Sequence, residues 1–268
     1  MEPNQEQLSA SYRAFSENIS EKRINSENAI RAKVHNYMYE SVLNALSPNE
    51  SVVDVGCGDG ALILRIPKNG QMILGLDVST ENIRMAKTKI EKEFNSKSPT
   101  FLVSDATETQ LRNEEFQQSI SHHVLEHLAS FDDGLNELKR ITKSKIIIAI
   151  PTALSPMSWT LLGGGTYWVH GRSGVFRLAK GFLRTISAFV TQKIGVDEGS
   201  YSSMDAVPHI FFFPKRILKR LECENWRVTE YRAQVTGLPW LLSSVKIGTK
   251  VNSRFGLGTL FILERKPI

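Results

Sequence analysis

Residues 51–60, SVVDVGCGDG, limit what this chain can fold into more than any other stretch. Val52, Val53 and Val55 surround one acid, Asp54, and glycines then stand at every second position, Gly56, Gly58 and Gly60. An apolar run that passes straight into such a loop reads as a buried parallel strand turning tightly. Glycine accepts positive φ and, lacking a Cβ, lets the backbone come close to a ligand. The loop is therefore a candidate nucleotide cradle.

The rest of the chain up to Pro151 repeats a strand–helix rhythm around that loop. From Ser26, apolar residues Ala29, Ile30, Val34, Tyr37, Met38, Val42 and Leu46 recur at three- and four-residue spacing, which predicts an amphipathic helix. It either packs on the core or closes over the ligand through Tyr37 or Tyr39. After the loop, Ala61–Ile66 reads as the start of a helix stopped at Pro67. Gln71–Asp77 reads as a second strand ending on an acid, 21 residues past Gly56. That spacing suits an acid that takes the hydroxyls of a bound ribose. A helix over Thr80–Phe94 with Ser79 or Thr80 as N-cap, a strand over Thr100–Val103 and a weaker strand over Phe116–Ser121 follow. A helix over Asp132–Thr142 and the strand Lys145–Ile150 close the series. Strands alternating with helices imply right-handed βαβ units and a parallel sheet, whose ligands bind at the carboxyl edge. The glycine loop, Asp77, Asp105 and His122 all fall on that edge.

Residues 152–208 break the rhythm and read as a substrate-covering insertion. Within it, Trp159, Tyr167, Trp168 and His170 make an aromatic stretch around Gly163, Gly164 and Gly165. An amphipathic pattern follows: Val175, Leu178, Ala179, Phe182, Leu183, Ile186, Phe189 and Val190 share a face opposed by Arg177, Lys180 and Arg184. The expectation is a lid helix that packs its apolar face on the domain, with contact of residues 172–193 to a membrane surface or lipid-like substrate as the alternative. A helix over Lys215–Glu222 and strands over Arg227–Val235 and Gly258–Glu264 end the chain as an antiparallel pair. Residues 1–26 read as a polar lead-in and 27–268 as one domain.

Bulk properties exclude several classes. No apolar run approaches the roughly 20 residues of a membrane-spanning helix, and the first twenty residues lack the pattern of a secretory signal. Two cysteines, Cys57 and Cys223, make no disulfide framework and fit a reducing cytoplasm. A net charge of +5, from 33 basic and 28 acidic residues, does not by itself mark a nucleic-acid binder.

Taken together, VVDVGCGDG, GLDVS, SDATE and SISHHVLEHL resemble the successive motifs of class I S-adenosylmethionine-dependent methyltransferases, in particular the small-molecule branch that includes ubiquinone- and menaquinone-type enzymes. The resemblance covers about residues 30–151, and residues 208–230 more loosely. It implies an α/β, Rossmann-like, doubly wound sheet of seven strands, mainly parallel, with an antiparallel C-terminal pair. It also implies S-adenosyl-L-methionine as cofactor and a small-molecule acceptor methylated at O, C or N. Carried onto this chain, Asp54, Gly56, Cys57, Gly58 and Gly60 would hold the methionine part and the ribose. Asp77 would bind the ribose hydroxyls, Val78 would lie beside the adenine, and Asp105 and Ala106 would face its amino group and ring edge. His122 and His123 would line the inner side; apart from the resemblance, Tyr37 of the first helix is a cofactor-binding candidate. An acid inside the first strand suits a sulfonium and an ammonium better than a pyrophosphate. An O-methyl transfer would need a general base, for which His123, His170 and His209 are candidates.

The chain departs from the pattern at Gln117, where an acid is usual, and lacks the Asn-Pro-Pro-aromatic motif of amino-methylating DNA enzymes, so nucleic acid is not the expected partner. Gly56–Ala61 also fits the G-x-G-x-x-A fingerprint of a nicotinamide-dependent oxidoreductase, and a non-catalytic cofactor-binding subunit is a further alternative. His123–His127 spells H-x-x-E-H, an inverted zinc-peptidase string that would put two imidazoles on one helix face. With no third ligand in view, no metal is expected.

Overall fold

A computed structural model describes residues 6, 29–93, 99–164, 171–198, 209–236, 246–247 and 256–267. The polar lead-in, apart from residue 6, and His170, Tyr167 and Trp168 lie outside these residues. Helix α1 (Ala29–Leu43) turns Val34, Met38 and Val42 inward. Strand β1 (Val52–Val55) is buried along its whole length, as a central parallel strand with both faces covered should be.

The expected helix after the glycine loop is only a single 3-10 turn, Ile63–Arg65. The loop's last glycine sits at φ 77° and Pro67 follows six residues after Ala61, so there is no room for a second turn. Pro67 also pushes Ile66 to extended backbone (ψ 128°), as the residue before a proline prefers.

Strand β2 (Ile73–Asp77), helix α2 (Thr80–Glu93), β3 (Thr100–Val103), β4 (Phe116–His122), helix α3 (Phe131–Ile141) and β5 (Thr142–Pro151) follow in order. Ser79 caps α2 by accepting the Asn82 N–H at 3.2 Å, and Ser130 caps α3 through Asp133 at the same distance. The insertion supplies α4 (Pro156–Leu162), α5 (Gly171–Val190) and the antiparallel pair β6 (Gly195–Asp197) with β7 (Ile210–Phe212). Helix α6 (Pro214–Leu221), β8 (Trp226–Ala233), a small pair of β9 (Val235–Thr236) with β10 (Lys246–Ile247), and β11 (Gly258–Arg265) complete the chain.

The main sheet runs β3-β2-β1-β4-β5-β11-β8, parallel from β3 to β5, with β11 antiparallel to both β5 and β8. This is the expected seven-stranded topology with its antiparallel closing pair. Strand order reverses between β1 and β4, which opens a crevice at their carboxyl ends. Side chains alternate across the sheet. Ile146, Ile148 and Ile150 pack with Leu135, Leu138 and Ile141 of α3, while Ile147 and Ala149 face Val42, Ile83 and Ile90 on the other side. The glutamines that weaken the β4 pattern have a use: fully buried Gln118 accepts the Ser47 N–H at 2.8 Å and donates to the Ser47 carbonyl at 2.9 Å, closing the turn into β1.

Helix α5 corrects the lid expectation. Its buried stripe is small, with Gly174, Gly181, Thr185 and Ala188 turned inward. A Cβ on Gly181 would stand 1.9 Å from the Trp159 carbonyl oxygen, and one on Gly163 would stand 1.8 Å from that of Arg177. Helices α4 and α5 therefore touch backbone to backbone, which only small residues permit. The large apolar residues Val175, Phe176, Leu183, Ile186, Phe189 and Val190 are displaced to the exposed side, and Phe176 is 72% exposed.

Candidate active site

The glycine loop leaves β1 beneath the end of β2. Gly56 and Cys57 both donate to the Leu76 carbonyl, at 2.7 and 2.8 Å, which folds the chain back sharply. Gly56, Gly58 and Gly60 all take positive φ. At Gly56 (φ +81°) a Cβ would also fall 2.2 Å from a Val124 methyl, so the loop and the segment after β4 pack without a gap. Asp77 clasps the loop: one carboxylate oxygen accepts the Gly58 N–H at 2.9 Å, the other the Ser79 N–H at 2.8 Å and the Asn82 amide at 3.2 Å. Burial raises the Asp77 carboxyl above its ordinary range, and these hydrogen bonds offset part of that rise.

Asp54 lies one layer below, 2% exposed, with Oδ1 lacking any hydrogen-bond partner. Burial, with the Asp77 carboxylate adding to it, raises its pKa to about 7. A buried acid in this state calls for a cation. Burial, together with the Asp77, Asp54 and Asp59 carboxylates, pushes the Cys57 thiol up well above its normal range, so Cys57 packs rather than reacts. Asp105, just past β3, accepts from the Thr107 N–H at 2.9 Å and its hydroxyl at 2.7 Å, a local turn beside half-buried Ala106. Half-buried Val78 follows Asp77 directly.

His122 ends β4 opposite Ala149 and its ring tilts against Tyr39 at 5.3 Å. Of the two tyrosines offered by the sequence, Tyr39 and not Tyr37 meets this part of the edge. Tyr37 packs with Val34, Met38, Met157 and Leu257, under the ammonium of Lys33. The H-x-x-E-H string is not helical. His123 adopts φ +58°, and Leu125–His127 form one 3-10 turn. His123 Nδ1 lies 2.9 Å from a Glu126 carboxylate oxygen and Nε2 lies 3.1 Å from Gln234 Oε1. Gln234 is oriented by donating its amide to Ser41 Oγ at 3.1 Å and the Met38 carbonyl at 3.4 Å. Both His123 nitrogens are thus engaged by protein partners, Glu126 on one side and Gln234 on the other.

Glu126 is fully buried. Burial would raise its carboxyl, but the His123 hydrogen bond and the nearby His123, His127 and His209 rings hold it below the ordinary range. His209, immediately before β7, is brought to His127 with ring centroids 4.8 Å apart, and its Nδ1 bonds the Glu198 carboxylate. Val124, Gln234 and Glu198 escape the sequence reading, which named Tyr39 as the alternative to Tyr37. Only Gln234 carried a signal, as an amide between apolar neighbours in a terminal strand.

The cradle fits S-adenosylmethionine better than a dinucleotide, because its deepest group is an orphaned acid and not a phosphate-binding helix end. Residues 53–150 match the family model described as a methyltransferase domain. Fold, cradle and domain are together those of a class I S-adenosylmethionine-dependent methyltransferase, a class whose cofactor is S-adenosylmethionine. Among proteins of known sequence, the chain is 27% identical over 136 residues to an uncharacterized methyltransferase of Mycobacterium tuberculosis, spanning 50% of this chain and 67% of that protein. It is 26% identical over 109 residues to a ubiquinone biosynthesis O-methyltransferase of Pelagibacter ubique, 39% of this chain and 42% of that one. Among solved structures it resembles the magnesium protoporphyrin IX methyltransferase of Synechocystis with bound S-adenosylhomocysteine, at TM-score 0.56 and 15% identity over 92% of this chain and 94% of the other.

Proposed function

We propose that this methyltransferase acts on a small apolar, aromatic or lipid-like acceptor delivered from an anionic membrane surface, with residues 152–208 as the acceptor-facing insertion of one domain spanning 27–268. The observation that carries this reading is α5. It turns a face of large apolar side chains outward, beside Arg172, Arg177 and Lys180, and contains no acid. Burying one such side chain contributes about 1.5–3 kcal/mol, so a face of six or more has ample affinity for a lipid surface, and its cations match anionic headgroups. Among the described residues no helix is long and apolar enough to cross a membrane. Arg184 ties α5 to α4 and β6 through the carbonyls of Leu162 and Asp197, and β6 pairs with β7 next to His209. The exposed helix is thereby linked to the carboxyl edge of the sheet.

In the cradle, S-adenosylmethionine supplies a methyl group already activated on a sulfonium. In this reading Asp54 faces the cationic methionine end, Asp77 takes the ribose hydroxyls, Val78 borders the adenine, and Asp105 and Ala106 meet its edge. The positive-φ glycines let the backbone approach. His122, with Tyr39 against it, lines the inner side and helps exclude water. His123 is a positioning residue, tying β4 to α1 and β8–β9 through Glu126 and Gln234, and not the base. The chain's contribution is alignment and desolvation.

Incubation of the purified chain with isotope-labelled S-adenosylmethionine and a cell extract tests the reading. Label in the organic-solvent-soluble fraction is expected. Label in protein or nucleic acid overturns the acceptor class. Cofactor binding with no labelled product would favour the non-catalytic subunit.

A further inference from the structure

The geometry points to a divalent transition-metal site, of the kind zinc fills, formed by Glu126, His127 and His209. One donor atom from each of these residues lies within 4.8 Å of the others. They come from two segments more than 80 residues apart, the turn after β4 and the residue before β7. Two features besides proximity point to a cation. Glu126 is 0% exposed and its Oε2 has no hydrogen-bond partner, while Oε1 is held by His123. A buried carboxylate oxygen without a donor is costly unless a positive centre meets it. On the other side, Glu198 accepts from His209 Nδ1, and the Glu198 N–H donates to the His209 carbonyl at 2.8 Å. That carboxylate fixes the tautomer, so Nε2 is the lone-pair nitrogen, the arrangement that supports metal-ligating histidines.

The donor set is two imidazoles and one carboxylate with no thiolate, which suits Zn2+ and its analogues more than Ca2+ or Mg2+. At ligand distances of about 2.0–2.2 Å, tetrahedral donors stand about 3.3 Å apart. Binding would require side-chain rotation to close the 4.8 Å span to that distance. Three protein ligands leave a fourth position for water or an oxygen of another molecule. The site lies on the carboxyl edge of the sheet, two residues along from Val124, whose methyls pack on Gly56.

The full chain, freed of metal by chelator and dialysis, is titrated with Zn2+ by calorimetry and with Co2+ by visible absorption. One Zn2+ per chain and the intense Co2+ bands of a four-coordinate site are expected. His209→Ala and His127→Ala should each weaken Zn2+ binding at least 100-fold, and Glu198→Gln about 10–100-fold, the usual cost of losing an outer-shell partner. Circular dichroism and thermal unfolding report whether each variant folds. Should His209→Ala fail to fold, Glu198→Gln, which leaves all three ligands in place, reads the same site. No saturable one-to-one binding by the unmodified chain, or unchanged affinity in the folded variants, overturns the assignment and leaves the cluster a structural ion-pair network.

Discussion

Replacing Asp54 with asparagine separates a burial effect from a ligand effect in one residue. Asp54 sits in the central strand, paired with Gly75 and Ile120, with its carboxyl 2% exposed. Burial first, and then the Asp77 carboxylate, raise its pKa from the ordinary 3.8 to about 7. Three decades in ionisation correspond to about 4 kcal/mol, at 1.36 kcal/mol per decade. Because the folded value lies above the unfolded one, Asp54 contributes most to stability below pH 3.8. That contribution falls as pH rises and is gone once pH passes about 7. Asparagine does not titrate. Between pH 5 and pH 8 the stability of Asp54→Asn relative to the parent should therefore grow by about 3 kcal/mol, read by urea unfolding without cofactor. With S-adenosylmethionine the sign reverses, since a cation beside Asp54 favours its ionised form. Affinity should rise with pH between 5 and 7 by up to about tenfold per unit, a window in which the ligand's own amino and carboxyl groups do not titrate. Calorimetry at several pH values measures this. A flat affinity in the parent, or an equal slope in Asp54→Asn, would refute the placement of the cofactor's cationic end.

Three other outcomes are expected. Asp77→Asn removes the charged acceptor of the Gly58 and Ser79 N–H groups; hydrogen bonds of this kind are worth about 1.5–3 kcal/mol, so cofactor affinity should drop about 10–100-fold by calorimetry, and unchanged binding would end the ribose assignment. Gly56→Ala places a methyl in a left-handed residue and 2.2 Å from Val124, which should cost about 1–3 kcal/mol in urea unfolding; a loss below about 0.5 kcal/mol would show that the loop readily shifts. Phe176→Ser combined with Leu183→Ser should abolish co-sedimentation with anionic vesicles while leaving the melting temperature within a few degrees, because both side chains are largely exposed. Equal sedimentation of the variant, or a dimer–monomer change instead, would show that the face meets something other than lipid.

Local chemistry accounts for what was legible along the chain. Strand β1 and its loop are short-range: consecutive apolar residues make a two-sided buried strand, and alternating glycines allow positive φ at three alternate positions. Asp77 and Asp105 were placed by their positions at strand ends, which a parallel sheet brings to one edge. Other features depended on partners far away in sequence. The sequence pattern of α5 shows which residues share a face, yet not which face turns inward. Gly163 and Gly181 decided that, because backbone contact with α4 takes the small stripe and excludes the large one. Likewise the H-x-x-E-H string suggested a helix with no third ligand. Instead the positive φ at His123 breaks the chain direction after β4, and the β6–β7 pair carries His209 across to Glu126 and His127.

Sequence alone thus determined the glycine-loop half of the sheet, where structure rests on backbone conformation and on residues that follow one another. Tertiary structure alone decided the side on which the insertion packs. There His123 bonds Glu126 and Gln234, Tyr39 rather than Tyr37 meets His122, and an apolar helix face is left open. Each of these turns on groups that are neighbours in space and not along the chain, where no local propensity or periodicity records them.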